Sequence, residues 1–236
     1  MGRAFELRKG RKMKRWDAMA KGFTKMGKEI AIAIKQGGTA DPAYNPRLRL
    51  AIQNAKGINM PKDRIDAALK RASSKDDKDF EEIVYEGYAP HGVGVLVECA
   101  TDNPTRTVAN VRMYFSRGNG ELGKTGSLSF MFERKGVFRI SAEGINMEEF
   151  ELEMIDFGAE DIIEDEGEII IYTAFTDFGA MQKALEAKKV TIISAELERI
   201  PTTTTELNEA QQQEVLNLVE KLEEDDDVQN VYHNLK

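Results

Sequence analysis

The pattern with the clearest chemical meaning is Gly118-Asn119-Gly120-Glu121-Leu122-Gly123-Lys124-Thr125, which satisfies GxxxxGK[ST]. In a phosphate-binding loop of that kind the backbone amides and a helix N-terminus face the phosphates. A strand must therefore precede it and a helix must follow. Here the order is reversed: the spacing predicts a helix ending near Arg117 and a strand from Ser127 to Phe132. The expectation is a flexible loop whose glycines permit positive φ, without nucleotide hydrolysis. Lys124 is kept as a phosphate contact on a nucleic acid.

Other constellations have a structural reading beside the chemical one. Asp102-Asn103 with Arg106-Thr107 groups a carboxylate, an amide, a guanidinium and a hydroxyl, and reads as a capped helix start with local side-chain bonds. Glu160, Asp161, Glu164, Asp165, Glu166 and Glu168 are donors suited to a divalent cation, but they fall on a hairpin, where acidic groups protect a sheet edge. Cys99 is the single cysteine, and His91 and His233 are the only histidines. That excludes an intrachain disulfide and argues against a structural zinc site. Neither a Ser-His-Asp nor a Cys-His pairing is suggested. No metal and no cofactor are expected. A nucleotide-dependent enzyme, built on Lys124 or on the acidic hairpin, is the most remote reading.

The strongest chemical signal is cationic. Arg3, Arg8, Lys9, Arg11, Lys12, Lys14 and Arg15 form a dense basic arm, and Lys21, Lys25, Lys28 and Lys35 continue it as a helical stripe with Lys14. Arg47, Arg49, Lys56, Lys62 and Arg64 add to the same field. Residues 1–75 hold 19 basic and 6 acidic residues, a net of +13, whereas the remainder holds 14 basic and 35 acidic, a net of −21. A basic module joined to an acidic body points to a polyanion. Lysines and arginines spread along helices suit phosphates, through contacts that are strong, salt-dependent and poor at specifying sequence.

The elements that must position these residues follow from periodicity. From Trp16, the residues Met19, Ala20, Phe23, Met26, Ile30, Ala33 and Ile34 share one helical face, so a helix is expected from about residue 12 or 15 to Gln36, stopped by Gly37-Gly38. Trp16 and Phe23 lie on that apolar stripe and read as core, not as base-stacking groups. Asn45-Pro46 caps a second helix and Met60-Pro61 opens a third, which completes a three-helix bundle. Beyond the polar linker at 73–79 the period changes to strands at 82–88 and 93–101, then a helix from Asp102-Asn103-Pro104. Residues 137–198 read strand, helix, strand, strand, helix, strand, the ferredoxin-like βαββαβ order. A final helix over 206–224 and strand over 228–232 are too little for a core, and should return to the 80–133 unit.

The fold class expected is α+β and multidomain, with 41% hydrophobic and 31% charged residues as in a soluble globular chain. No stretch approaches the roughly 20 apolar residues that span a bilayer. The N-terminus has no apolar h-region, so cytoplasmic placement is expected.

Several ordered blocks carry a family resemblance: Phe23-Thr24-Lys25 with Lys28-Glu29-Ile30, Asn45-Pro46-Arg47-Leu48-Arg49, Asn59-Met60-Pro61-Lys62-Asp63, and Tyr85-Glu86-Gly87-Tyr88. They continue with Thr101-Asp102-Asn103, Arg106-Thr107-Val108-Ala109, Gly126-Ser127 with Phe130-Met131-Phe132, and Asp227-Val228-Gln229-Asn230-Val231-Tyr232-His233-Asn234. In these the chain resembles the YebC family of bacterial transcriptional regulators, which includes a mitochondrial translational activator of cytochrome c oxidase subunit I. Many members begin Gly-His-Ser-Lys-Trp. This chain begins Gly2-Arg3-Ala4-Phe5-Glu6, so no role of that His or Trp carries over. The resemblance implies three domains: a basic helical domain 1–78, a middle domain 79–134 plus 202–236, and a ferredoxin-like domain 135–201 inserted into the middle one. It implies a non-enzymatic, DNA-binding transcriptional regulator. The competing reading is a ribosome- or RNA-associated translational activator, because both polymers present phosphates and no helix face mixes Asn, Gln and Arg for base-edge reading. A further partner expected is a basic protein held by the acidic domains.

Overall fold

Long runs of good helix formers without proline build the N-terminal unit. A computed structural model of the chain describes residues 3–74 and 79–236, with side chains described from residue 19 onward. Helix α1 spans Arg3–Gly37, α2 Pro46–Gly57 and α3 Lys62–Ala72. Helix α1 thus begins well before residue 12. The early residues, such as Ala4, Leu7 and Arg8, favour a helix but carry no apolar stripe to announce it. Residues 1–80 form one unit and 81–236 another.

The first unit's core is made of Ile30, Ala33 and Ile34 of α1 with Leu48, Ala51 and Ala55 of α2 and Ile65 and Ala72 of α3, flanked by Phe23, Met26 and Phe80. Each large side chain so buried contributes about 1.5–3 kcal/mol. One buried residue, Asn45, sets the corner between α1 and α2. Its Oδ1 accepts from Leu48 N at 3.0 Å, capping α2, while its Nδ2 donates to Ala33 O at 2.7 Å and Thr39 O at 3.0 Å. The closeness requires a glycine opposite: a Cβ on Gly37 would stand 2.2 Å from Asn45 Nδ2.

The second unit contains two antiparallel four-stranded sheets. In the first, strands β1 (Glu81–Tyr88), β2 (Gly94–Thr101), β3 (Glu121–Leu122) and β8 (Val228–His233) lie in the order β3-β1-β2-β8. Helices α4 (Pro104–Arg117) and α7 (Glu209–Glu223) pack on it through Val111, Phe115, Val215, Leu218 and Leu222, against Val95, Val97 and Val228. The last strand does return: Val97 pairs with Val231 and Leu96 with Tyr232. Helix α7 starts at Glu209 because Asn208 and Gln211 form a reciprocal capping box.

The second sheet has the order β5-β6-β4-β7, from β4 (Phe132–Ser141), β5 (Ala159–Asp165), β6 (Glu168–Ala174) and β7 (Ile192–Pro201). Helices α5 (Met147–Ile155) and α6 (Phe178–Lys188) fall between them in the chain, giving β-α-β-β-α-β. Phe138, Ile140, Ile169, Ile171, Met154, Met181 and Leu185 are fully buried. The β5–β6 turn is tight, with φ of 47° at Glu166 and 84° at Gly167, as a two-residue hairpin requires.

The strand expected from Ser127 to Phe132 is instead a 3-10 turn at Ser129–Met131, and β4 begins at Phe132, five residues before the expected Val137. The charged Glu133-Arg134-Lys135 and Gly136 conceal that start. Gly136 continues the strand because a Cβ there would meet Thr173 Oγ1 at 2.4 Å.

Candidate nucleic-acid interface

The basic residues fall into three groups. Arg3, Arg8, Lys9, Arg11, Lys12, Lys14 and Arg15 lie along the N-terminal part of α1, and their side chains, like that of Trp16, lie outside the described residues. The second group is partly covered or paired within its own unit. Lys21, Lys25 and Lys28 are half-buried, and Lys28 Nζ sits over the Phe80 ring, 5.3 Å from its centre. Lys35 is ion-paired with Asp79. Arg47 donates to both carboxylate oxygens of Glu29, at 3.0 and 3.4 Å, and to Gln36. Arg49 reaches Pro42 O at 3.5 Å. Lys28, Lys35, Arg47 and Arg49 thus contact neighbouring segments, and Lys21 and Lys25 are half-covered, so helical spacing overstated how many of these cations face outward. Positions 30 to 34 are all buried, so the opposite face of α1 is not a continuous cationic stripe there.

The third group is exposed: Lys56 at the end of α2, and Lys62 and Arg64 in the first turn of α3. Lys70 and Arg71, also exposed, end the same short helix. Their helical spacing, away from Ile65 and Ala72, already places them on the outward face, and the structure agrees. The described α3 surface is Lys, Arg, Asp and Ala67, with no Asn or Gln. It can hold phosphates but lacks the amides that read base edges.

In the acidic unit the GxxxxGKT sequence is not the flexible loop expected. After α4 ends, β3 pairs with β1, and Gly123 N donates to Glu86 O at 2.7 Å. The Glu86 side chain, 7% exposed, then accepts from Gly126 N at 2.7 Å and Leu128 N at 2.6 Å. A protein carboxylate therefore occupies the anion-accepting amides just past the motif. Gly118, Gly120 and Gly123 do not have positive φ; a Cβ on them would collide with Leu218, Tyr88 O and Ser127 Oγ, at 3.0, 2.5 and 2.9 Å. Only Gly126, at φ 86°, uses the left-handed freedom of glycine. Lys124 is exposed at the loop tip.

Asp102-Asn103 and Arg106-Thr107 form a structural knot. Asn103 Oδ1 caps α4 through Arg106 N at 3.1 Å. Arg106 reaches Asp102 at 2.9 Å and Asp227 at 2.6 Å, while Thr107 Oγ1 donates to the same Asp227 oxygen at 2.9 Å. These bonds, Asp227's foremost, raise the Arg106 guanidinium pKa. Asp227 reads in the sequence as the last residue of a helix-ending acidic run, and only the structure reveals it as the buried acceptor joining α4 to β8.

The acidic hairpin spans β5, the edge strand, and the start of β6, and Lys135 bonds Glu160 at 2.6 Å. Among the described residues no three His, Cys, Asp or Glu gather to hold a metal ion. Cys99 is buried in β2. His91 Nε2 lies 2.9 Å from Glu214. Burial holds the His233 imidazole below its ordinary pKa, opposed by Glu223 and a backbone bond to Leu235. No helix among the described residues is long and apolar enough to cross a membrane.

Comparisons with known proteins agree in one direction. The family model described as "TACO1/YebC protein N-terminal domain" matches residues 3–75, and that described as "TACO1/YebC second and third domain" matches residues 80–235. A "Probable transcriptional regulatory protein" of Cytophaga hutchinsonii is 64% identical, covering 100% of this chain and 98% of its own length. One of the same description from Flavobacterium johnsoniae is 58% identical, covering 100% and 99%. The crystal structure of the conserved hypothetical protein Aq1575 from Aquifex aeolicus superposes with a TM-score of 0.81 at 40% identity, over 92% of this chain and 90% of that one.

Proposed function

The chain belongs to the TACO1/YebC family, and from that premise we propose that it is a nucleic-acid-binding regulator of gene expression that catalyses no reaction. The observation that carries this reading is the separation of charge, +13 in residues 1–75 against −21 in the rest. Exposed cations remain at Lys56, Lys62 and Arg64 after internal pairing has engaged Arg47 and Lys35. In this reading the basic helical unit binds the phosphate backbone, and the arm from Arg3 to Arg15 and the half-buried Lys21, Lys25 and Lys28 extend that contact. The names of the relatives, each a probable transcriptional regulatory protein, support a role on DNA.

The second reading is a structured RNA or the ribosome, with control of translation. It is favoured by the described surface of α3, which offers cations and carboxylates but no amide side chains for a major-groove code. A nucleotide-dependent enzyme built on the GxxxxGKT loop is disfavoured by Glu86, whose carboxylate already holds the amides of Gly126 and Leu128. We also read three domains, 1–78, 79–134 plus 202–236, and a ferredoxin-like 135–201. The pairing of β8 with β2 supports this division, as does the β5-β6-β4-β7 strand order. Crosslinking of the intact protein in cells, followed by sequencing of both bound DNA and bound RNA, tests the proposal. Enrichment of either polymer over a variant with Lys56, Lys62 and Arg64 neutralised is the expected result, and enrichment of neither refutes it.

A further inference from the structure

The segment 104–135 stands apart within the acidic unit, with six basic and two acidic residues. Its centre is the pinned loop that follows β3. Besides the three bonds to Glu86, Ser127 N donates to Lys124 O at 3.1 Å and Ser129 Oγ to Gly126 O at 3.1 Å. At the far end Met131 O accepts from Thr202 N at 2.9 Å and from Thr202 Oγ1 at 3.2 Å. Leu128 and Phe132 anchor the loop in a core with Leu96. Between those two buried residues Phe130 projects outward and is 74% exposed.

This is an unusual use of a phenylalanine. The chain spends backbone and carboxylate bonds on a fixed loop, yet leaves the loop's largest side chain 74% exposed. A rigid, exposed aromatic costs little conformational entropy on binding, and a nucleobase has a flat face that stacks on it without regard to sequence. Lys124, six residues earlier on the same pinned loop, is exposed and supplies a cation for the adjoining phosphate. A base can stack on a side chain only when it is not already stacked within a duplex.

We propose that the loop from Gly123 to Met131 is a second nucleic-acid contact, in which Phe130 stacks on an unpaired base and Lys124 holds a neighbouring phosphate. The inference rests on the nucleic-acid reading above and narrows it, because the ligand must present single-stranded nucleotides.

The test measures binding of the full chain to a labelled oligouridylate and to a fully paired duplex of equal length, across a salt series. Phe130→Ala should weaken binding to the single strand by about 5- to 150-fold, the range for losing one stacked base. Its salt slope and its duplex affinity should stay unchanged, and Phe130→Trp should restore binding. Lys124→Gln should lower the single-strand salt slope by about 0.7, one phosphate contact. Wild-type affinity of Phe130→Ala for the single strand overturns the proposal, as does an equal loss on both ligands. Neutralising Lys56, Lys62 and Arg64 serves as the separate arm. If that variant loses affinity while Phe130→Ala does not, the loop proposal alone fails. If the native chain binds neither ligand, both readings fail.

Discussion

Replacing Glu86 with alanine tests the pinned loop at its centre. The carboxylate is 7% exposed and accepts from Gly126 N at 2.7 Å and Leu128 N at 2.6 Å. Leu128 is fully buried, so its amide loses its partner in a dry site, at about 1–3 kcal/mol. Gly126 is exposed and its amide can turn to water, which limits that loss to about 0.5–1 kcal/mol. Together the substitution should cost about 1.5–4 kcal/mol. In a unit of this size that lowers the melting temperature by on the order of 3–16 °C. Glu86→Gln, which keeps one acceptor oxygen but turns an amide donor toward the other N–H, should fall between native and alanine. Urea denaturation followed by circular dichroism gives the stability, and hydrogen exchange at Gly126 and Leu128 reports the loop. A loss below about 0.5 kcal/mol, with exchange at both amides unchanged, would refute the account of the loop as pinned by Glu86.

Two further predictions concern each unit's stability. Asn45→Asp keeps the acceptor for Leu48 N but loses both Nδ2 donations, to Ala33 and Thr39. It also buries a charge, so the helical unit should lose about 2–4 kcal/mol in denaturant melts, and a neutral result would show that the corner does not depend on those donors. In the second unit, burial depresses the His233 pKa below its ordinary 6.5. The unfolded chain then binds more protons at this site as pH falls, so its contribution is complete above that value and declines as pH falls through it. Urea midpoints at pH 7.5 and 5.5 should drop more for the native chain than for His233→Gln, and equal drops would contradict the assignment.

Much of the fold was legible because periodicity reports burial. The strand-strand step within residues 137–198 identified the β5–β6 hairpin, and Asn45-Pro46 and Asn103-Pro104 marked two helix starts where caps are observed. Boundaries failed where local signals disguise packing. Gly136 looks like a break but makes room for Thr173, and the start of α1 carries helix-forming residues without an amphipathic stripe. The interface was less legible. Sequence finds every lysine and arginine and places Lys56 outward, but it cannot tell that Arg47 pairs with Glu29 of another helix, 18 residues away. The glycine-rich motif was half read. Its context excluded a phosphate loop, but the reason for its glycines, close approach in place of positive φ, depends on Leu218 and Tyr88, which are distant in sequence.

The central claim is that the basic helical unit binds phosphates, and the salt dependence of binding tests it most directly. Affinity of the full chain for duplex DNA and for structured RNA should be measured across a salt series, for the native protein and for a variant carrying Lys56→Gln, Lys62→Gln and Arg64→Gln. With about 0.9 per phosphate contact on B-form DNA, the account predicts weaker binding and a log–log slope flatter by up to about 2.7. The preferred polymer should show the larger change. An unchanged affinity with an unchanged slope on both polymers would contradict it.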